Sequence, residues 1–274
     1  LRLAELYIEA YRFEFLVEGR VYEARLAQGA PAKGIDHGRS RPWLQLAIRA
    51  SQEILDFRIP YERLDQVLYF LAYNHSELGD AASANRYYSE LVRRFPTSSF
   101  AVEGLRELGE GAFIARDYRK AISYFEGARA RSSQAPGFES QLPRIHHRLA
   151  WCQYRLKQYP KAVQEMKEAI RLAGAGGEKL LSVREEALRD LAIFMTESGE
   201  VSEAVAYFQK TASDTQFYPR VLESLGRQYE RNVEPVKATQ VYESLLQTRP
   251  SDEVGFRVRV KLVRVDLEKP DPAH

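Results

Sequence analysis

The chain has one cysteine, Cys152, in 274 residues, so it can form no internal disulfide. A lone thiol suits a reducing cytoplasm and equally suits a periplasmic protein that avoids cysteine. No run approaches the roughly 18 apolar residues that a transmembrane helix requires, which argues against a helical span. A dominant charge is also missing. The 40 lysines and arginines face 38 acidic residues, a formal net charge of +2. No global field therefore draws the chain onto nucleic acid or an anionic membrane. Lysine is the scarcer base, at ten against 30 arginines. Arginine favours bidentate ion pairs and stacking on aromatics, although genome base composition produces the same bias.

Signals for chemistry are equally thin. His146 and His147 are adjacent, so they diverge on a helix and cannot chelate one ion together. Cys152 lies among packing residues and reads as a small buried hydrophobe. The stretch Gly174–Lys179 lacks the spacing and the preceding strand of a phosphate loop and reads as a linker. Asn74–Ser76 is a formal glycosylation sequon inside a helical pattern. The expectation is a non-enzymatic protein with no catalytic residues, no metal and no cofactor.

What the chain does have is a repeat. Leu-x-x-Leu-[Ala/Gly], an alanine and then usually an aromatic recur five times. The copies are Leu68–Leu71–Ala72…Ala84…Tyr88, Leu105–Leu108–Gly109…Ala121…Phe125, Leu149–Ala150…Ala162…Met166, Leu188–Leu191–Ala192…Ala204…Phe208 and Leu222–Leu225–Gly226…Ala238…Tyr242. The third is the loosest, with His146 for its first leucine and Met166 for its aromatic. From the small residue to the following alanine is 12 residues in every copy. A fixed internal period of this size marks a helical solenoid, which grows by stacking repeats. The predicted fold is all-α: a right-handed superhelical solenoid of antiparallel helix pairs with a C-terminal capping helix.

Residues 1–64 read as an irregular first repeat: one long amphipathic helix with Leu6, Tyr7, Ala10, Tyr11, Phe15 and Leu16 at helical spacing, a mobile Gly/Pro-rich loop at 28–42, and a helix from about 42 to 58 with Leu46, Ala47, Ala50, Ile54 and Phe57 inward. Five regular units fill 65–252, starting near Asp65, Val102, Pro143, Glu185 and Pro219. Gly79 marks a turn that needs a left-handed residue, and Pro96 and Pro250 end second helices. Longer loops are expected at 131–142 and 173–183. Residues 253–268 alternate as a strand would, but Phe256, Val260, Val263 and Leu267 also share a helical face, and a capping helix is the expectation. Residues 269–274 read as a tail. The chain begins at Leu1 without Met, inside a helical pattern, and is read as trimmed or processed.

The units resemble tetratricopeptide repeats. The unit at 219–252 carries Leu222, Leu225, Gly226, Tyr229, Ala238, Tyr242 and Pro250; the unit at 65–98 carries Leu68, Leu71, Ala72, Gly79, Ala84, Tyr88, Leu91 and Pro96. The resemblance covers residues 65–252, with the closing proline absent from the three middle units. The junction 91–104, LeuValArgArgPheProThrSerSerPheAlaValGluGly, is similar to repeat junctions of bacterial envelope tetratricopeptide proteins of the outer-membrane assembly lipoprotein and Tol–Pal coordinator type. A periplasmic or envelope-associated setting follows from that similarity; the alternative is a regulatory or sensing domain of a larger cytoplasmic protein.

The resemblance implies that first helices line a concave, partner-binding surface. Its expected contacts are Tyr69, Phe70 and Tyr73, then Arg106, then Arg144, His147, Arg148, Trp151 and Arg155, and Arg189. Arg144, Arg148, Trp151 and Arg155 share one helix face and are of types enriched at interface hot spots. An extended or helical protein segment with acidic and apolar groups would fit such a groove. The alternative is that these arginines pair with Glu107, Glu110, Glu186 and Asp190 and form a solvated face. Family members that hold a C-terminal carboxylate use a Lys–Asn–Asn–Lys–Arg clamp; Tyr69, Tyr73, Glu107, Arg144 and Arg148 occupy those positions here, so that clamp is not expected. Acidic residues interrupt the basic units, which disfavours nucleic acid. The apolar stretches at 1–27 and 253–268 suggest self-association through a terminal helix.

Overall fold

The computed structural model describes residues 1–57, 61–132, 139–212, 217–248 and 253–267. Pro250 and the tail 269–274 lie outside them. Thirteen α-helices are present among the described residues, and no strand. The chain divides into two compact units, Leu1–Arg131 and Ser132–His274.

The first unit comprises α1 (Arg2–Ala27), α2 (Arg41–Asp56), α3 (Leu64–Glu77), α4 (Ala81–Arg94), α5 (Ser99–Ile114) and α6 (Tyr118–Ser132), whose last residue crosses the boundary. Its core gathers Val67, Leu68, Leu71, Ala72, Ala84, Tyr87, Tyr88, Leu91 and Leu108. On α1 the buried stripe is Ala4, Ile8, Tyr11 and Glu18, while Leu6, Phe15 and Leu16 are exposed. On α2 it is Leu44, Ala47 and Ser51, and Phe57 is exposed. Both stripes are rotated from the expected ones.

The loop between α1 and α2 runs from Gln28 to Ser40, and its end is tied down by one carboxylate. Glu18 Oε1 accepts the backbone N–H groups of Arg39 (2.8 Å) and Ser40 (2.9 Å). Its Oε2 accepts the Ser40 hydroxyl at 2.6 Å and lies 3.2 Å from His37 Nδ1. His37 stacks on Phe15 at 5.1 Å. Burial alone would raise the Glu18 pKa, but the hydrogen bonds from Ser40, Arg39 and His37 outweigh it and hold the carboxyl down at about 2. The expected mobile loop thus has a fixed end.

The second unit holds α7 (Leu142–Arg155), α8 (Tyr159–Ala175), α9 (Leu181–Ser198), α10 (Val201–Ala212), α11 (Phe217–Arg231), α12 (Pro235–Thr248) and α13 (Glu253–Leu267). Its core runs from Ala150 to Val265 through Phe194, Phe208, Tyr229 and Tyr242. Helix α8 continues to Ala175 and a 3₁₀ turn fills 177–180, so little remains of the loop expected at 173–183. Residues 253–267 are helical. The face that α13 buries is not the expected one: Val258 and Val265 are buried, whereas Phe256, Val260 and Val263 are exposed.

The repeat signature has a direct physical reading. A Cβ on Gly109 would come within 2.7 Å of the Phe125 ring, and one on Gly226 would overlap the Tyr242 ring. The small residue therefore exists to admit the aromatic 16 positions later, on the paired helix. The turns repeat as well. After α3, α5, α7 and α11 the left-handed position is taken by Gly79, Arg116, Lys157 and Val233. In each, the next N–H reaches back five residues: Asp80 to His75, Asp117 to Ala112, Gln158 to Gln153 and Glu234 to Tyr229, at 2.9 Å throughout. This backbone arrangement satisfies helix-end carbonyls. The α9–α10 turn departs from it, with Gly199 extended at φ −142°.

Candidate functional site

First helices neighbour first helices within each unit: α3 meets α5, and α9 meets both α7 and α11. Their outward side chains make two separate surfaces, one per unit.

On the first unit, α1 and α3 frame a pocket of 340 Å³. Its apolar wall is Ile8 with Tyr69, Phe70 and Tyr73; its rim is Arg2, Glu5, Glu9 and Arg12. Glu5, Ile8, Glu9 and Arg12 recur at helical spacing on α1, which is why they present one edge. Tyr69 is the centre of the aromatic group, stacking on Phe100 at 5.0 Å and lying 6.3 Å from Tyr73 and from Tyr88. Burial, reinforced by Glu103, Tyr73 and Glu107, pushes its phenol pKa up to about 12. Burial and Glu77 raise Tyr73 as well, against the opposing pull of Arg12. Three of the rim charges are paired: Arg2 lies 3.4 Å from Glu5 and 3.7 Å from Glu9, and Arg63 lies 3.5 Å from Glu5. The pocket therefore offers aromatic surface with its rim charge internally compensated.

Arg106 does not extend this surface as a free cation. Its guanidinium binds Glu103 at 2.6 Å and also Glu107, both on its own helix. The hydrogen bonds that Arg106 donates to Glu103 raise the Arg106 pKa, and burial raises that of Glu107 despite the arginine beside it. With Glu103, Glu107 and Glu110 around one arginine, this stretch of α5 is acidic on balance.

On the second unit, α7 carries Arg144, Arg148, Trp151 and Arg155 along one side, and α9 carries Arg189. Arg144, Arg155 and Arg189 are exposed, and Arg148 is half-buried. The two histidines diverge as expected. His146 Nδ1 lies 2.6 Å from Glu165 of α8, and His147 Nε2 lies 2.8 Å from Asp190 of α9. His147 is buried, so it supports the surface from beneath. Trp151 is half-buried and held on several sides. Its Nε1 donates to Asp190 at 2.7 Å, its ring meets Phe194 edge-on at 5.0 Å, and Arg155 lies 5.6 Å above it. Tyr154 stacks on Phe194 at 4.5 Å. Asp190 thus serves two donors on α7 and links consecutive first helices.

The structure brings Tyr69, Phe70 and Tyr73 together at one pocket, and Arg144, His147, Arg148, Trp151 and Arg155 along one helix. Sequence reasoning missed the α1 residues Glu5, Ile8, Glu9 and Arg12, whose helical spacing was the available signal. It also missed Glu18, for which a single acidic residue on an apolar stripe gives no clear sign.

Family models described as tetratricopeptide repeat match residues 66–98 and 101–175. No curated protein sequence matches the chain. Among solved structures, BtubC (BKLC) from P. vanneervenii aligns at 16% identity over 85% of this chain and 94% of its own, with a TM-score of 0.52. The pilF protein of Pseudomonas aeruginosa aligns at 14% identity over 95% and 98% of the respective chains, TM-score 0.50. YrrB, a TPR protein with an unusual peptide-binding site, aligns at 14% identity over 77% and 98%, TM-score 0.50. Identities this low speak for the fold alone. Repeat signature, helix pairing and turn geometry agree with the family match, and the chain carries tetratricopeptide repeats over residues 66–98 and 101–175.

Proposed function

We propose that the protein is a non-enzymatic interaction scaffold that takes a segment of a partner protein against its first helices, in a bacterial envelope complex. The observation that carries this reading is the pocket between α1 and α3. At 340 Å³ it is at the small end of ligand sites, which span about 300–1,000 Å³, and has the size of a side chain or two from a bound segment. Tyr69, Phe70, Tyr73 and Ile8 favour an apolar or aromatic anchor, because a buried charge would have to break the rim pairs of Arg2 with Glu5 and Glu9. On the second unit Arg144, Arg148, Arg155 and Arg189 favour acidic groups, with Trp151 among them. YrrB, a TPR protein with an unusual peptide-binding site, supports this class of partner. The junction at 91–104 favours the envelope as the setting. No helix of the described residues is long and apolar enough to cross a membrane. Self-association through α1 or α13 belongs to the same reading.

The test is capture from native cells by wild-type protein, by Phe70→Ala/Tyr73→Ala and by Arg148→Ala/Arg155→Ala, read by mass spectrometry. Envelope proteins captured by the wild type and lost with either variant are the expected result. Partners retained equally by both variants would remove the first-helix surfaces from the reading, and a purely cytoplasmic partner set would overturn the envelope setting.

A further inference from the structure

His146 is committed to α8 through Glu165, but His147 turns its Nε2 toward α9. There Glu186 and Asp190 stand four residues apart, one above the other on a single helix face. One ligand atom from each of His147, Glu186 and Asp190 can be chosen so that all three lie within 4.8 Å of one another. We propose that these three residues bind a divalent first-row transition metal ion that bridges α7 and α9. The proposal does not depend on the docking reading above.

The donor set defines the class of ion. One imidazole and two carboxylates suit zinc, nickel, cobalt or manganese; calcium and magnesium prefer all-oxygen shells, and copper(I) prefers sulfur. Zinc–nitrogen and zinc–oxygen bonds are about 2.0–2.2 Å long, so donors on one ion stand roughly 3–3.5 Å apart. Small side-chain rotations bring the triad to that spacing. The 2.8 Å contact between His147 Nε2 and Asp190 Oδ2 would open slightly as the ion replaces the shared proton.

Arg144 and Arg148 on α7 and Arg189 on α9 put positive charge nearby. Arg144 and Arg189 are exposed, where solvent and salt screen them, whereas the two carboxylates act at bonding distance. Support for the site is already in place: Trp151 Nε1 donates to Asp190 at 2.7 Å, the kind of outer contact that orients a ligating carboxylate. His147 is buried and Glu186 exposed, so the ion would be reached from the Glu186 side. Three protein donors leave at least one position for water.

Chelator-treated protein is titrated with Zn²⁺ by calorimetry and with Ni²⁺ by tryptophan fluorescence. One ion per chain is expected, with Ni²⁺ quenching the Trp151 emission. Glu186→Gln, an exposed change, should weaken Zn²⁺ binding by about tenfold or more, and Trp151→Phe by about ten- to a hundredfold through the orientation of Asp190. Asp190→Asn should abolish binding; if thermal unfolding shows that it fails to fold, Glu186→Gln decides alone. Absence of binding to the wild type overturns the proposal. So does binding of equal strength to wild type and Glu186→Gln, which would place the ion elsewhere.

Discussion

At the scale of single residues, backbone conformation decides one position and core packing another. Val233 sits at φ +59° in the α11–α12 turn, with 84% of its surface exposed. A left-handed conformation costs a residue with a Cβ about 1–2 kcal/mol, and a branched side chain suits it least. Glycine loses more chain entropy on folding, by less than about 1 kcal/mol, and no core contact is at stake. Val233→Gly should therefore stabilise the protein by roughly 1 kcal/mol, read as a raised urea midpoint; an unchanged or lowered midpoint would count against strain at this turn. Gly226 is the converse case. Alanine would gain about 1 kcal/mol of helix propensity, but its Cβ would overlap the Tyr242 ring, and overpacking costs about 1–3 kcal/mol. Tyr242 has little room to retreat, since it is fully buried and its hydroxyl donates to Glu230 at 2.9 Å. Gly226→Ala should lower stability, by up to about 2 kcal/mol, in the same assay.

At the scale of elements, Glu18 decides how α1, its loop and α2 fit together. Its carboxyl, ordinarily at 4.5, is held at about 2 in the fold. A depressed carboxyl contributes stability that is complete above the unfolded pKa and fades as pH falls from about 4.5 toward about 2. Wild-type protein should lose stability across that window, and Glu18→Gln should show a flatter profile there. At neutral pH the variant should be weaker by about 1–3 kcal/mol, because buried donors on Ser40 and Arg39 lose a charged acceptor. Parallel profiles for the two proteins would show that the tie does not matter. The rotated faces of α1, α2 and α13 belong to this scale too. Periodicity identified helices but could not say which side of an irregular one turns inward. Terminal helices have a neighbour on one side only, so apolar residues occur on both faces. On α13 the residues whose alternation suggested a strand are divided, with Val258 buried and Phe256 and Val260 exposed.

At the scale of the molecule, each unit closes its own core and leaves apolar surface on a terminal helix. Phe13 and Leu16 of α1 are 65% and 62% exposed, and Phe256 and Val260 of α13 are 67% and 56% exposed. Contiguous apolar faces of this kind mark association surfaces. If the protein pairs with a second copy through a terminal helix, sedimentation should show a dimer that Phe13→Asp/Leu16→Asp or Phe256→Asp/Val260→Asp converts to monomer, the effective pair naming the helix. A wild-type monomer at all concentrations would remove self-association.

The repeat, the helix pairs, the left-handed turn at Gly79 and the family were legible in the amino-acid sequence, because each rests on local spacing: two leucines on one helix face, a small residue opposite an aromatic, a glycine where φ turns positive. The aromatic group Tyr69, Phe70 and Tyr73 was legible for the same reason. Tertiary structure alone decided that α1 completes their pocket and that Asp190 holds both His147 and Trp151. These depend on which charged and polar groups come within hydrogen-bonding distance once helices distant in sequence are packed, and a periodic pattern encodes the face of a helix but not the partner that meets it.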